Sequence, residues 1–234
     1  INGDMDALLG LYTVSSLILL INFSKLSKLS LNNYSVLFLY LMTLTMIKVE
    51  GLAIFFCLAI SYFIFFYNYR KKSNNYLILV FIISLIPIIT WKLFIYDKDV
   101  VSSSFLMISN GERFVENLKD LKFILLLLNK IFFNKQMFIS LIIFLIILSR
   151  YIHLDKNLKK ITVNKKIFSN ELSFTLLTIL LYSFILFVIF VSSEGSPNNV
   201  PEIKYFMTIT SADRLFLPVH SLILIFSIYL NKKI

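Results

Sequence analysis

The sequence predicts an all-α fold: a polytopic helical membrane protein with about seven transmembrane helices and one further helix at the outer interface. Three observations predict it. The 234 residues are 58% hydrophobic and 15% charged, and their mean hydropathy is +0.83, far above that of a water-soluble domain of this size. The apolar residues gather into long uninterrupted stretches, most of them near the ~20 residues that cross a bilayer at 1.5 Å per residue. The 23 Lys and Arg exceed the 13 Asp and Glu, and the excess collects in alternate connections, as it does in cytoplasmic loops. A soluble globule is excluded, and the positive balance points to membrane topology rather than to nucleic acid.

In chain order the stretches are Ala7 to Phe23, Tyr34 to Ile47, Gly51 to Tyr67, Tyr76 to Ile95, Met137 to Ile152, Leu172 to Ser192 and Leu215 to Leu230. The second is short for a span. None carries an ionisable residue at its centre, which argues against a proton relay or a voltage sensor. Between the fourth and fifth lies a long segment, 97–135. There the charges Glu112, Arg113, Glu116, Lys119, Asp120 and Lys122 give way to an apolar run from Phe123 to Phe133. This pattern predicts a helix at the outer interface whose apolar end dips in beside the next span, or else an eighth, shallow span. The single cysteine, Cys57, cannot form an intrachain disulfide, and His153 and His220 are too far apart to make a metal-ligand spacing. The chain starts at Ile1, and Asp4 and Asp6 stand where a signal peptide would be basic. The expectation is one transmembrane domain, 1–234, forming the C-terminal part of a longer protein.

Counting charges loop by loop sets the orientation. One side collects 13 basic residues, from Lys25 and Lys28 through Arg70 to Lys72, Arg150 to Lys166, and Lys232 and Lys233, against the acids Asp155 and Glu171. The other side takes the remaining 10 basic and 11 acidic residues. The N-terminus therefore faces out and the 150–171 connection faces the cytoplasm. This topology puts the polar residues capable of chemistry at the outer ends of helices. Asp4 and Asp6 precede the first span, Lys48 and Glu50 flank a turn that ends in Gly51, and Asp213 and Arg214 open the last helix. Asp6 also suits a helix N-terminus, where the macrodipole favours an acid. Lys48 and Glu50 also suit a solvated hairpin. Thr210-Ser211-Ala212-Asp213 has the make-up of an N-cap, which assigns Asp213 to capping. Arg214 suits either a carrier phosphate, held by a bidentate fork, or snorkelling at the lipid boundary. His220, about 9 Å deeper, suits an interhelical hydrogen bond, and Trp91 and Tyr96 suit an aromatic belt.

Four segments in order resemble the GT-C superfamily of integral-membrane glycosyltransferases, the group of the aminoarabinose and dolichyl-phosphate-mannose transferases. Asn2-Gly3-Asp4-Met5-Asp6-Ala7-Leu8-Leu9 resembles the family's G-Y-A-D-x-x-L entry into a helix, with Asp6 at the Asp position and Asp4 where an aromatic is usual. Ile47-Lys48-Val49-Glu50-Gly51-Leu52 resembles its T-K-x-E-G-L turn, Ile86-Pro87-Ile88-Ile89-Thr90-Trp91 its P-x-x-x-W helix end, and Thr210-Ser211-Ala212-Asp213-Arg214-Leu215 its T-S-x-D-R-L helix start. The chain departs from the pattern after Leu215, where Pro218 and His220 stand near the position at which relatives carry a Pro. The resemblance implies transfer of a sugar from a polyprenyl-phosphate carrier to an acceptor at the outer face of a bacterial inner membrane. It implies a catalytic base in a loop ahead of Ile1, Asp6 as a second catalytic acid, and Lys48, Glu50, Arg214 and His220 as substrate-binding residues. It implies no fixed cofactor, leaves room for a divalent cation, and makes the partners a carrier-linked sugar, an unidentified acceptor and membrane lipid.

Two other readings compete. An O-antigen ligase or polymerase also works on carrier-linked glycans at the outer face, but it calls for an Arg-rich late outer loop, and residues 193–212 hold no Arg. A transporter segment or respiratory subunit calls for polar residues at the membrane midplane or for broken helices in repeated halves.

Overall fold

The structure is a computed structural model that describes residues 2–26, 29–66, 71–97, 115, 117–133, 135–149, 152–155, 160–163, 170–192 and 217–231. The helices are α1 (Asn2–Lys25), α2 (Leu31–Ile47), α3 (Val49–Phe66), α4 (Lys71–Ser84), α5 (Ile86–Asp97), α6 (Leu121–Phe133), α7 (Lys135–Ser149), α8 (Asn170–Ser192) and α9 (Leu217–Asn231). Three stretches, Met5–Lys25, Asn75–Phe94 and Asn170–Ile189, are long and apolar enough to cross a membrane, and Leu31–Ile47, Glu50–Phe66 and Leu217–Ile228 are shorter apolar helices. Large apolar side chains such as Leu11, Ile64, Leu93 and Phe184 are exposed on different helices. Water opposes such an exterior, whereas lipid covers it at no cost.

The helix ends follow from local chemistry. Ser30 caps α2, its Oγ accepting from Asn33 N at 3.3 Å, and Asp120 caps α6, its Oδ1 accepting from Phe123 N at 3.0 Å. These side chains satisfy backbone donors that the first helical turn leaves open. Buried hydroxyls bond carbonyls one turn back, as in Thr13 to Leu9 O at 2.7 Å, Thr178 to Phe174 O at 2.9 Å and Ser227 to Ile223 O at 2.8 Å. These hydroxyls are thereby satisfied in apolar surroundings.

Specific contacts give the helix directions. Lys25 at the end of α1 pairs with Glu171 at the start of α8 at 3.2 Å, so α1 and α8 run antiparallel. Phe144 and Phe226 meet with centroids 5.5 Å apart where α7 packs on α9. Tyr34 and Tyr76, near the starts of α2 and α4, meet at 5.9 Å. The interior lies where α1 packs on α2 and α9, and α3 on α8. Tyr62, Phe66, Phe81 and Phe174 form an aromatic cluster in it.

Two features depart from the expectations set by the sequence. The span expected as continuous from Tyr76 to Ile95 is divided at Leu85, between α4 and α5. Pro87 has no N–H for the carbonyl of Ile83, and Leu85 N turns back three residues to Ile82 O at 3.1 Å. The fold is helical as expected, and the second feature is a short antiparallel hairpin after α7, β1 (Ile152–Asp155) with β2 (Lys160–Val163), in which Ile152 pairs with Val163 and Asp155 with Lys160. In the sequence this stretch reads only as a basic connection. Of the segment 97–135, the described part holds α6, with Phe123 and Leu127 buried on one i, i+4 face and Leu121 and Leu125 exposed.

The α2–α3 turn is the tightest junction. Only Lys48, extended at φ −156° and ψ 165°, separates the two helices, and Gly51 N donates to Lys48 O at 3.0 Å. A Cβ on Gly51 would stand 1.9 Å from the carbonyl oxygen of Leu44, a backbone atom that no rotamer change can move. Alanine gains about 1 kcal/mol over glycine in helix propensity, but overpacking costs about 1–3 kcal/mol, and against a fixed carbonyl the second effect wins. Gly51→Ala should therefore lower the unfolding temperature of the detergent-solubilised protein. A Cβ on Gly10 meets the Ser221 hydroxyl at 3.0 Å, a group that can turn aside, so Gly10→Ala should cost less than half as much. A thiol-reactive dye reporting exposure of the buried Cys57 measures both.

Candidate functional site

One end of the bundle gathers the start of α1, the α2–α3 turn, the end of α8 and the start of α9. At this end Lys48 Nζ donates to Asp6 Oδ1, closing an ion pair across 42 residues of sequence. Asp6 is 2% exposed, and the Lys48 side chain is 27% exposed. The other carboxylate oxygen of Asp6, Oδ2, is buried and has no hydrogen-bond partner. Glu50 is half-buried in the first turn of α3, where the helix dipole favours an acid.

Tyr182 is fully buried on α8, within electrostatic reach of Glu50, Cys57 and Asp6. His220 is buried in the first turn of α9. Its neighbour Ser221 faces Gly10, one turn below Asp6. Asn117 Nδ2 donates to Val191 O at 2.7 Å, which ties the residues ahead of α6 to the same end of α8. The opposite end of the bundle carries the pair Lys25–Glu171, with side chains 52% and 20% exposed.

The candidates read from the sequence thus fare differently. Asp6 and Lys48 touch, and Glu50 shares their end of the bundle. His220 lies at the start of the helix packed on α1. Arg214 and Asp213 lie outside the described residues, as does the 193–216 connection, and the side chain of Asp4 is not described. The partner of Lys48 is Asp6, from a distant part of the chain, and the turn is therefore more than a solvated hairpin. Tyr182 is not among the candidates that the sequence suggests. The signal that marks it is a helical stripe: Thr175, Thr178 and Tyr182 fall at i, i+3 and i+7, and all are buried. Among the described residues no group of three or more His, Cys, Asp or Glu forms a metal-binding cluster.

A buried carboxylate beside a partly exposed ammonium can bind hydroxyls or other polar ligand groups. No family model, curated protein or solved structure matches the chain. The chemistry of the site itself is then the guide to its function.

Removing one partner of a buried pair strands the other in low dielectric. Lys48→Met should destabilise by about 3 kcal/mol, the lower end of the usual range because Lys48 keeps some contact with water. The double change Asp6→Asn with Lys48→Met should recover much of that loss, and Lys25→Met at the exposed pair should cost no more than about 1 kcal/mol. Thermal unfolding followed through Cys57 tests all three. Equal costs for Lys48→Met and Lys25→Met would remove the distinction between the two ends.

Proposed function

We propose that the chain is part of a GT-C-type membrane glycosyltransferase system that moves a sugar from a polyprenyl-phosphate carrier to an acceptor at the outer face of a bacterial inner membrane. One observation carries this reading: the buried Asp6–Lys48 pair joins two of the four family-like segments, far apart in sequence, at one end of the bundle. On this reading α1, α2, α3, the broken α4–α5 pair, α7, α8 and α9 are seven spans in alternating directions, and α6 lies at the outer interface. The pairs Asp6–Lys48 and Lys25–Glu171 each join residues that the charge count assigns to one side.

In the reaction the acceptor's nucleophile attacks the anomeric carbon from the face opposite the carrier. Its proton passes to a base at the outer face, and the anomeric C–O bond breaks with its electron pair going to the carrier phosphate. Arg214 holds that phosphate as negative charge builds on it, a contact that counts for most in a partly dehydrated site. Asp6, Lys48, Glu50 and His220 bind and orient the substrate. None of these roles needs a resident cofactor, and a divalent cation beside the phosphate is compatible with them.

Two measurements test the reading. In a Cys57-free protein, Lys160→Cys should resist membrane-impermeant maleimide added from outside, while Asn199→Cys should react; labelling at 160 from outside overturns the orientation. With the complete gene product, Arg214→Ala should cut turnover of a polyprenyl-phosphate sugar on the order of 100- to 1000-fold. Arg214→Lys should recover only part of this, because an ammonium lacks the planar two-donor fork. Near-normal turnover by Arg214→Ala would return that residue to a lipid-boundary anchor.

A further inference from the structure

The Asp6–Lys48 pair is half-used. Asp6 Oδ1 accepts from Lys48, while Oδ2 is buried with no partner. A carboxylate oxygen accepts hydrogen bonds and cannot donate, and an ammonium carries three donors and cannot accept. Lys48 spends one donor on Asp6, and its side chain is 27% exposed. An acceptor and a donor with spare capacity therefore stand side by side. A buried carboxylate oxygen left without a partner loses its hydration and gets nothing in return. A ligand that donates to it removes that cost.

The charge at this end of the bundle narrows the ligand's chemistry. The ammonium of Lys48 is already neutralised by Asp6, and with Glu50 on the next turn the three groups sum to one negative charge. A phosphate binds where a cation is uncompensated, so these three residues are a poor phosphate site. A hydroxyl both donates and accepts. Two adjacent hydroxyls can give one hydrogen to Asp6 Oδ2 and take one from Lys48 Nζ without breaking the ion pair.

We propose that Asp6 and Lys48 form a clamp for a neutral vicinal diol, the hydroxyl face of a sugar ring, which enters past Lys48, while the carrier phosphate is held elsewhere. The clamp deepens the transferase reading and rests on it for the identity of the diol. It assigns Lys48 to the glycosyl group, with Asp6 locked as a recognition group by its own partner.

The test uses the protein in nanodiscs free of sugar-based detergent. The probes are a panel of hexyl glycosides of glucose, galactose, mannose and arabinose, with hexyl tetrahydropyranyl ether as the hydroxyl-free control, read by saturation-transfer NMR. Decaprenyl phosphate, which carries no sugar, is read separately by native mass spectrometry. At least one glycoside should bind and the control ether should not. Asp6→Asn and Lys48→Met should each weaken the glycoside roughly tenfold or more, the size of a charged hydrogen bond, and leave decaprenyl phosphate within about twofold. Asp6→Asn keeps an acceptor for Lys48, and protection of Cys57 from a thiol dye shows whether each variant is folded. If Lys48→Met alone is unfolded, Asp6→Asn with Lys48→Met carries the same expectation.

Three results overturn the clamp: no glycoside of the panel binds, binding is unchanged in folded Asp6→Asn, or Lys48 variants lose decaprenyl phosphate as strongly as glycoside. Glycoside binding that depends on Asp6, in a protein that ignores decaprenyl phosphate, supports the clamp and overturns the transferase reading. Decaprenyl phosphate binding that depends on Arg214, with no glycoside bound, does the reverse.

Discussion

The ion pair between Asp6 and Lys48 is the constraint around which this end of the molecule is arranged. It fastens the first turns of α1 to a junction so short that one extended residue separates two antiparallel helices. The junction in turn needs Gly51, because the carbonyl of Leu44 occupies the space where any side chain would begin. The lysine can reach the carboxylate because the turn is tight, and the turn is tight because residue 51 has no Cβ. In an apolar bundle such a tie is worth more than it would be in water, since Asp6 is almost fully buried.

From this tie the other helices follow. α1 packs on α3, and α8 packs along α3 with Tyr182 buried in the interior. At the far end of α1, Lys25 meets Glu171 and fixes the direction of α8. The two ion pairs differ in kind. The one at the Asp6 end is nearly closed to water and orders the interior, while the one at the Lys25 end remains open and adds alignment more than energy.

Much of the secondary structure is legible in the sequence because lipid-compatible helices write themselves as apolar runs. Each of the seven runs contains most of a described helix, α4 and α5 together answering for one. The runs say nothing of the break at Leu85, since a proline near a helix start reads the same as a proline within a span. The hairpin of β1 and β2 escapes such a reading because its strands are four residues long and lie among lysines. At the site, Asp6, Lys48 and Glu50 are visible as charges beside apolar runs. The partnership of Asp6 with Lys48 is not, because a contact across 42 residues leaves no local trace. Tyr182 is hidden for a related reason: inside an apolar helix an aromatic residue with a hydroxyl looks like packing until the neighbouring helix brings carboxylates to it.

The break at Leu85 has a mechanical consequence. A continuous helix answers a change in membrane thickness by tilting as one rod, and so drags on every helix it touches. Here α4 and α5 are two shorter rods that meet at a proline-weakened joint, with large side chains such as Ile82, Ile89, Trp91 and Leu93 exposed along them. A joint at Leu85 gives this pair one defined place to bend that a continuous helix lacks.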